Sequence, residues 1–109
     1  MLDPQMKRGL IEVCVLSSIS RGDSYGYKIV KDLSPYVAVS ESTLYPILKR
    51  LEAAELLTVR SAEHNGRLRK YYKITKAGRL RLDAFADEWQ EVMRIYNYVT
   101  RGEDKNDEA

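Results

Sequence analysis

S-E-S-T-L-Y-P-I-L-K-R-L-E-A-A-E, residues 40–55, is the stretch whose reading decides the fold. Leu44, Ile47, Leu48 and Leu51 recur at i, i+3, i+4 and i+7, one apolar stripe of a short helix. At about 100° per residue, Ser42, Pro46, Lys49 and Ala53 fall on the opposite side, flanked by Thr43, Tyr45 and Arg50. The outer face is therefore small, hydroxylated and cationic, with no carboxylate at its centre. A merely solvated helix mixes both signs there. A helix that enters a DNA groove needs hydroxyls and cations and no anions. Ser40 is a natural N-cap, and first-turn amides are good phosphate ligands. Taken alone, the stretch fits either an amphipathic surface helix or a DNA-reading one; its surroundings decide.

Upstream, Asp3-Pro4 has the chemistry of a helix start, Asp capping and Pro at the first position, and predicts a helix to about residue 19. Its centre, residues 10–16 (L-I-E-V-C-V-L), is apolar nearly all round, which implies burial on more than one side. The second side is either the core of a monomer or a partner chain. Residues 20–24 read as a turn, with Asp23 or Ser24 capping a second helix over 25–34 whose inward stripe is Tyr25, Ile29 and Leu33. Pro35 stops it, and residues 37–39 (V-A-V) are expected as a short strand. Two helices separated by a short connection, the second with a polar, cationic outer face, form a helix-turn-helix pattern.

Downstream of Leu57 the period changes from 3.6 to 2. Two alternating runs flank Asn65-Gly66, a strong hairpin signal because a type I′ turn needs positive φ twice. A two-residue loop pairs His64 with Arg67, Val59 with Tyr72 and Leu57 with Ile74, the last four facing inward and Arg60, Tyr71 and Lys73 outward. Arg67, Arg69 and Lys70 are expected to crowd the tip. Three cations there suit a grip on a duplex backbone. Thr75 then caps a helix over 76–100, in which Phe85, Trp89, Val92, Tyr96 and Val99 are spaced 4, 3, 4 and 3. That seam, with Leu10, Val13 and Cys14 of the first helix, is the expected homodimer interface; the alternative is packing on the helix's own domain. Residues 101–109 read as a disordered tail.

The totals narrow the function further. The 109 residues fit one domain, divided as 1–75 for DNA binding and 76–100 for dimerisation. Net charge is +2, but residues 49–81 carry 10 basic and 3 acidic side chains, and residues 82–109 carry 3 and 8. Positive charge thus gathers where the amphipathic helix ends and the hairpin begins. One cysteine excludes an internal disulfide, and one histidine gives no metal-ligand pair. No apolar run is long enough to cross a bilayer, so a cytoplasmic location is expected. Without a phosphate loop, nucleophile elbow or cofactor motif, the chain reads as a binder and not an enzyme, with no cofactor and no membrane partner.

G-L-I-E-V-C-V-L from Gly9, Y-G-Y-K-I from Tyr25, S-T-L-Y-P-I-L-K-R-L-E from Ser42 and R-K-Y-Y-K-I-T-K-A-G from Arg69 resemble the PadR family of bacterial transcriptional regulators. The likeness covers about residues 7–89 and is closest to the small subfamily with a single C-terminal helix. It implies a mainly α fold with a β-hairpin wing, a winged helix-turn-helix plus a C-terminal dimerisation helix. It places DNA binding on Ser42, Thr43, Tyr45, Pro46 and Lys49 and, in the wing, on Arg67, Arg69 and Lys70. It also implies repression relieved by small aromatic molecules. Trp89 matches an aromatic that lines a pocket between the last helices in some small members, with Met93 and Tyr96 nearby. Two departures stand out. Glu55 occupies a position where the family usually has Gly, and Arg67-Leu68 a position where wings often carry Gly or Pro. Pro46 is also unusual inside a helix, since it frees the Ser42 carbonyl.

The expected function is thus a repressor on a pseudo-palindromic double-stranded operator, with a small aromatic effector between the last helices. The competing readings are a winged-helix module that binds protein without DNA, and a small-molecule carrier that has lost DNA binding. The cations of the helix and of the hairpin tip discriminate against both.

Overall fold

The computed structural model describes residues 2–101. They form four helices and a hairpin: α1 (Pro4–Ser20), α2 (Gly26–Leu33), α3 (Glu41–Ala53), β1 (Leu57–His64), β2 (Arg67–Ile74) and α4 (Lys76–Thr100). All but one residue of the tail expected at 101–109 lies outside this range.

Local chemistry sets most boundaries. The Asp3 carboxylate accepts the Gln5 and Met6 amides at 3.1 Å each, and Pro4 opens α1. Ser40 Oγ accepts the Thr43 amide at 3.2 Å, and Thr75 Oγ1 the Gly78 amide at 3.0 Å. The helix α3 ends in a Schellman motif: the Leu56 amide bonds to the Leu51 carbonyl and the Glu55 amide to the Glu52 carbonyl. Glu55 accordingly sits at φ 63°, the left-handed conformation that glycine would adopt without steric cost. Asn65 and Gly66 sit at φ 52° and 79°, as a type I′ turn requires. The register follows, with His64 opposite Arg67, Val59 opposite Tyr72 and Leu57 opposite Ile74.

The core is the meeting of these stripes. Val15, Leu16 and Ile19 of α1, Ile29 and Leu33 of α2, Leu44, Ile47, Leu48 and Leu51 of α3, and Leu57, Tyr72 and Ile74 of the hairpin form one buried cluster. Gly78 lets α4 approach this body closely. A Cβ there would stand 2.6 Å from Ile74 Cγ1 and closer still to the Leu56 carbonyl oxygen. Beyond that point α4 runs outward, and the molecule measures 69 × 27 × 21 Å.

Three local expectations differ from the structure. Residues 37–39 form no strand; Val39 goes into the core, and the free edge of β2 is closed from elsewhere. Ser24 closes it, exchanging both backbone hydrogen bonds with Tyr72 at 3.1 and 2.7 Å. Neither Asp23 nor Ser24 caps α2. Its N-cap is Tyr25, without a side-chain bond, because Ser24 is held in the rung and Asp23 faces Arg60. Tyr25 also leaves the inward stripe. It is half-buried and packs edge-on against Tyr71, ring centroids 5.9 Å apart, on the outer side of the hairpin.

Candidate nucleic-acid interface

The outer face of α3 begins in a knot of hydroxyls. Ser40 Oγ lies 3.0 Å from Ser42 Oγ and 3.0 Å from Thr43 Oγ1, so the first turn presents small polar groups held by one another. Ser42, Thr43, Pro46 and Lys49 are all exposed. Pro46 lies in the second turn, where it leaves the Ser42 carbonyl without an intrahelical partner. The neighbouring cations part ways. Lys49 meets no carboxylate among the described residues, whereas Arg50 reaches back to α1 and holds Glu12 through Nη2 at 2.7 Å and Nε at 2.8 Å. Arg50 therefore ties α3 to α1.

Tyr45 turns from the outward face towards the wing. Its ring lies against Gly26 at the start of α2, where a Cβ would stand 2.8 Å from the phenol oxygen. The hydroxyl donates to Glu41 Oε1 at 3.0 Å. Burial, with the hydrogen bond and charge of Glu41, raises the phenol above its usual range and keeps it neutral. Tyr45 is thus one wall of an open cleft of about 680 Å³ between α3, the α2 N-terminus and the wing. Glu41 and Tyr27 line the same cleft, and Arg67, Leu68, Arg69 and Lys70 close its far side.

The three wing cations do not share one environment. The strand period puts Arg67, Arg69 and Tyr71 on one face of β2 and Lys70, Tyr72 and Ile74 on the other. Arg67 is exposed beside the turn, and Lys70 continues the inner face past the core. Arg69 is half-buried, its guanidinium 3.8 Å from the Tyr25 ring centroid. Arg60, across from Tyr71, lies 4.8 Å over that ring and 3.4 Å from Asp23. Arg60, Tyr25, Gly26 and Glu41 were not among the residues expected at the site. The two tyrosines flanking a glycine at 25–27 were the available signal.

The other expected residues lie along α1 and α4. Phe85 and Trp89 are half-buried and stacked, centroids 5.6 Å apart with planes at 24°. Beyond them Val92, Met93, Tyr96 and Val99 are exposed, together with Ile95 and Tyr98. Leu10 and Cys14 are half-buried and line an apolar groove with Leu82 and Phe85. Val13 contributes to the same groove but is already buried, at 6% exposure. Burial pushes the Cys14 thiol up, so this cysteine acts as a small hydrophobe.

A helical domain with a capped third helix that exposes Lys49 and small hydroxyls, and an adjoining two-stranded hairpin, defines a winged helix-turn-helix protein. The family model described as the transcriptional regulator PadR-like family matches residues 15–84. The chain belongs to that family and is a transcriptional regulator of the PadR type, a class that acts through DNA binding. It is 32% identical over 91 residues to "Transcriptional regulator Rv3488" of Mycobacterium tuberculosis, covering 83% of this chain and 85% of that one. The structure of smu.1704 from Streptococcus mutans superposes with a TM-score of 0.77 at 40% identity, over 87% of this chain and 90% of that one. A PadR-like transcription factor from Bacteroides fragilis gives 0.78 at 33%, over 87% and 94%. No helix among the described residues is long and apolar enough to cross a membrane.

Proposed function

We propose that the protein is a dimeric repressor that reads a pseudo-palindromic operator and is released by a flat aromatic ligand. One observation carries the DNA-facing part. Among the described residues Lys28, Arg50 and Arg60 each pair with a carboxylate, while Lys49, Arg67, Arg69 and Lys70 do not. Arg67, Arg69 and Lys70 converge on one cleft that Tyr45 of α3 also lines, and Lys49 stands exposed on the outer face of the same helix. In this reading Ser42, Thr43 and Lys49 meet base edges or adjacent phosphates, Pro46 shapes the helix face, and Tyr45 lines the path of one strand. Arg67, Arg69 and Lys70 hold the backbone.

Dimerisation in this reading uses the groove at Leu10, Val13 and Cys14 with the seam Phe85, Trp89, Val92, Tyr96 and Val99. The exposed half of α4 supports it, since a long apolar stripe on a lone helix end needs a covering surface. Half-sites then lie about 34–36 Å apart. The effector sits between two α4 helices near Trp89, Met93 and Tyr96, with Asp87, Glu88 and Glu91 giving the rim a negative potential.

The test is selection of bound duplexes from a random pool, followed by sedimentation of the W89E/Y96E variant. A pseudo-palindrome bound by a dimer, and a monomeric variant, are expected. Absence of any enriched sequence, or a monomeric wild type at micromolar concentration, overturns the reading. Trp89 is the only tryptophan, so planar dyes or phenolic acids that bind as proposed quench its fluorescence and weaken operator binding. Quenching without loss of operator affinity overturns the effector role.

A further inference from the structure

Arg69 differs from the other cations of the wing in how it is held. Its guanidinium lies 3.8 Å from the Tyr25 centroid and 6.0 Å from that of Tyr71. Tyr71 meets Tyr25 edge-on at 75°, and Arg60 covers Tyr71 from the neighbouring strand. Arg60 is in turn drawn to Asp23 in the α1–α2 turn. The backbone rung between Ser24 and Tyr72 fixes the two ends of this stack relative to one another. Side chains from three segments, the α1–α2 connection, β1 and β2, thus form one stack, in which the Tyr25 and Tyr71 rings face the Arg69 guanidinium. Arg60 has a carboxylate at the end of its side of the stack. Arg69 has no hydrogen-bond acceptor among the described residues, and it lines the cleft beside Lys70 and Arg67.

A guanidinium held over a ring face still has N–H groups to give to other acceptors, in the planar fork that matches a phosphate. Free arginine side chains lose rotamer freedom when they bind; one already stacked has lost it in advance. We infer that Tyr25, supported by Tyr71, is a positioning residue for DNA binding: it pre-orders the Arg69 guanidinium at the mouth of the cleft for a phosphate of the backbone. This rests on the proposed reading that the wing meets duplex DNA. Tyr25 itself makes no contact with the nucleic acid in this role. The cation–π geometry supplies the order and the phosphate supplies the acceptors that Arg69 lacks.

The experiment is a double-mutant cycle on the full chain, reading affinity for sheared mixed-sequence duplex DNA across a salt series. R69A weakens binding and lowers the salt slope by about one. Y25L weakens binding roughly two- to tenfold, the cost of ordering one side chain on association. Y25F, which keeps the ring, binds like wild type. Y25L adds nothing in the R69A background, whereas a loss through general damage to the fold persists there. R69K keeps the charge but not the fork, and falls short of wild type. Y25L that binds like wild type, Y25L equally harmful with and without Arg69, or R69K equal to wild type overturns the positioning role while leaving DNA binding intact. R69A without effect on affinity overturns both the role and the wing's part in the proposed function.

Discussion

Thr75 donates its hydroxyl to the Glu55 carbonyl at 2.8 Å, and the same oxygen accepts the Gly78 amide. The residue that caps α4 therefore also secures the residue that terminates α3. The Thr75 amide adds a bond to the Leu56 carbonyl at 3.1 Å. The end of α3 and the start of α4, separated in the chain by the whole hairpin, are thus joined by two hydrogen bonds.

Glu55 is the strained member of this junction, at φ 63°. Glu55→Gly should stabilise the protein by about 1 kcal/mol, since a side chain in the left-handed region carries a cost of that order. Thermal unfolding should show a rise of a few degrees, with far-UV helicity unchanged. A fall in Tm would mean that the Glu55 side chain makes a favourable contribution larger than its strain.

Gly78→Ala should act in the opposite sense. The added methyl meets the Leu56 carbonyl and Ile74 Cγ1, neither of which is the loose end of a side chain. Overpacking of this kind costs about 1–3 kcal/mol or more. Urea unfolding should record the loss, and a variant as stable as wild type would show that α4 can slide at its base.

The adjacent cations of α3 should separate cleanly in DNA binding. Lys49→Ala should alter sequence preference and reduce the salt slope. Arg50→Ala should leave the salt slope as it is, because its guanidinium is engaged by Glu12. Its cost should appear in stability instead, at roughly 0.2–1 kcal/mol for a partly exposed pair. Filter binding across a salt series, with denaturation in parallel, distinguishes the two; a lowered slope in Arg50→Ala contradicts the assignment.

Asp32 links α1 to α2. Burial raises its carboxyl, but hydrogen bonds from Ser18 at 2.9 Å and Lys28 at 3.1 Å, with the charges of Lys28 and Arg21, outweigh that and leave it below the ordinary range. A depressed folded-state value means stability that is present above the unfolded carboxyl's pKa and lost as pH falls through the folded one. Asp32→Asn should therefore be less stable than wild type at neutral pH, with the difference shrinking as the pH drops below the ordinary Asp range. A gap that widens on acidification has the wrong sign.

What the sequence disclosed was set by chemistry within a few residues. Asp3, Ser40 and Thr75 each cap a helix with an oxygen two or three residues from its donor, and Asn65-Gly66 encodes its own turn. The apolar stripe of α3 needed only its own spacing. Contacts between remote segments were not legible. Nothing near Ser24 announces that it pairs with Tyr72, nothing near Arg50 names Glu12, and Arg69 was read as a tip cation because its partner Tyr25 lies far back in the chain. Tyr45 was assigned by helical phase to the flank of the outward face, and Gly26, whose lack of a side chain makes room for its ring, decided otherwise. Glu55 shows tertiary structure overriding local preference: the Thr75 hydroxyl and the Leu56 amide hold a conformation that its residue type disfavours.

The hairpin has a parity. Tyr72 and Ile74 reach the core while Arg69 and Tyr71 stand on the other side, and the tight turn at Asn65-Gly66 locks which is which. Inserting a single residue between the turn and Tyr72 would exchange the faces of everything between the insertion and the tip, sending Arg69 inward and Lys70 out. Two residues would restore both. Such a wing can change its charges one substitution at a time, whereas a single-residue change in its length keeps both faces only if a bulge or a longer loop absorbs it.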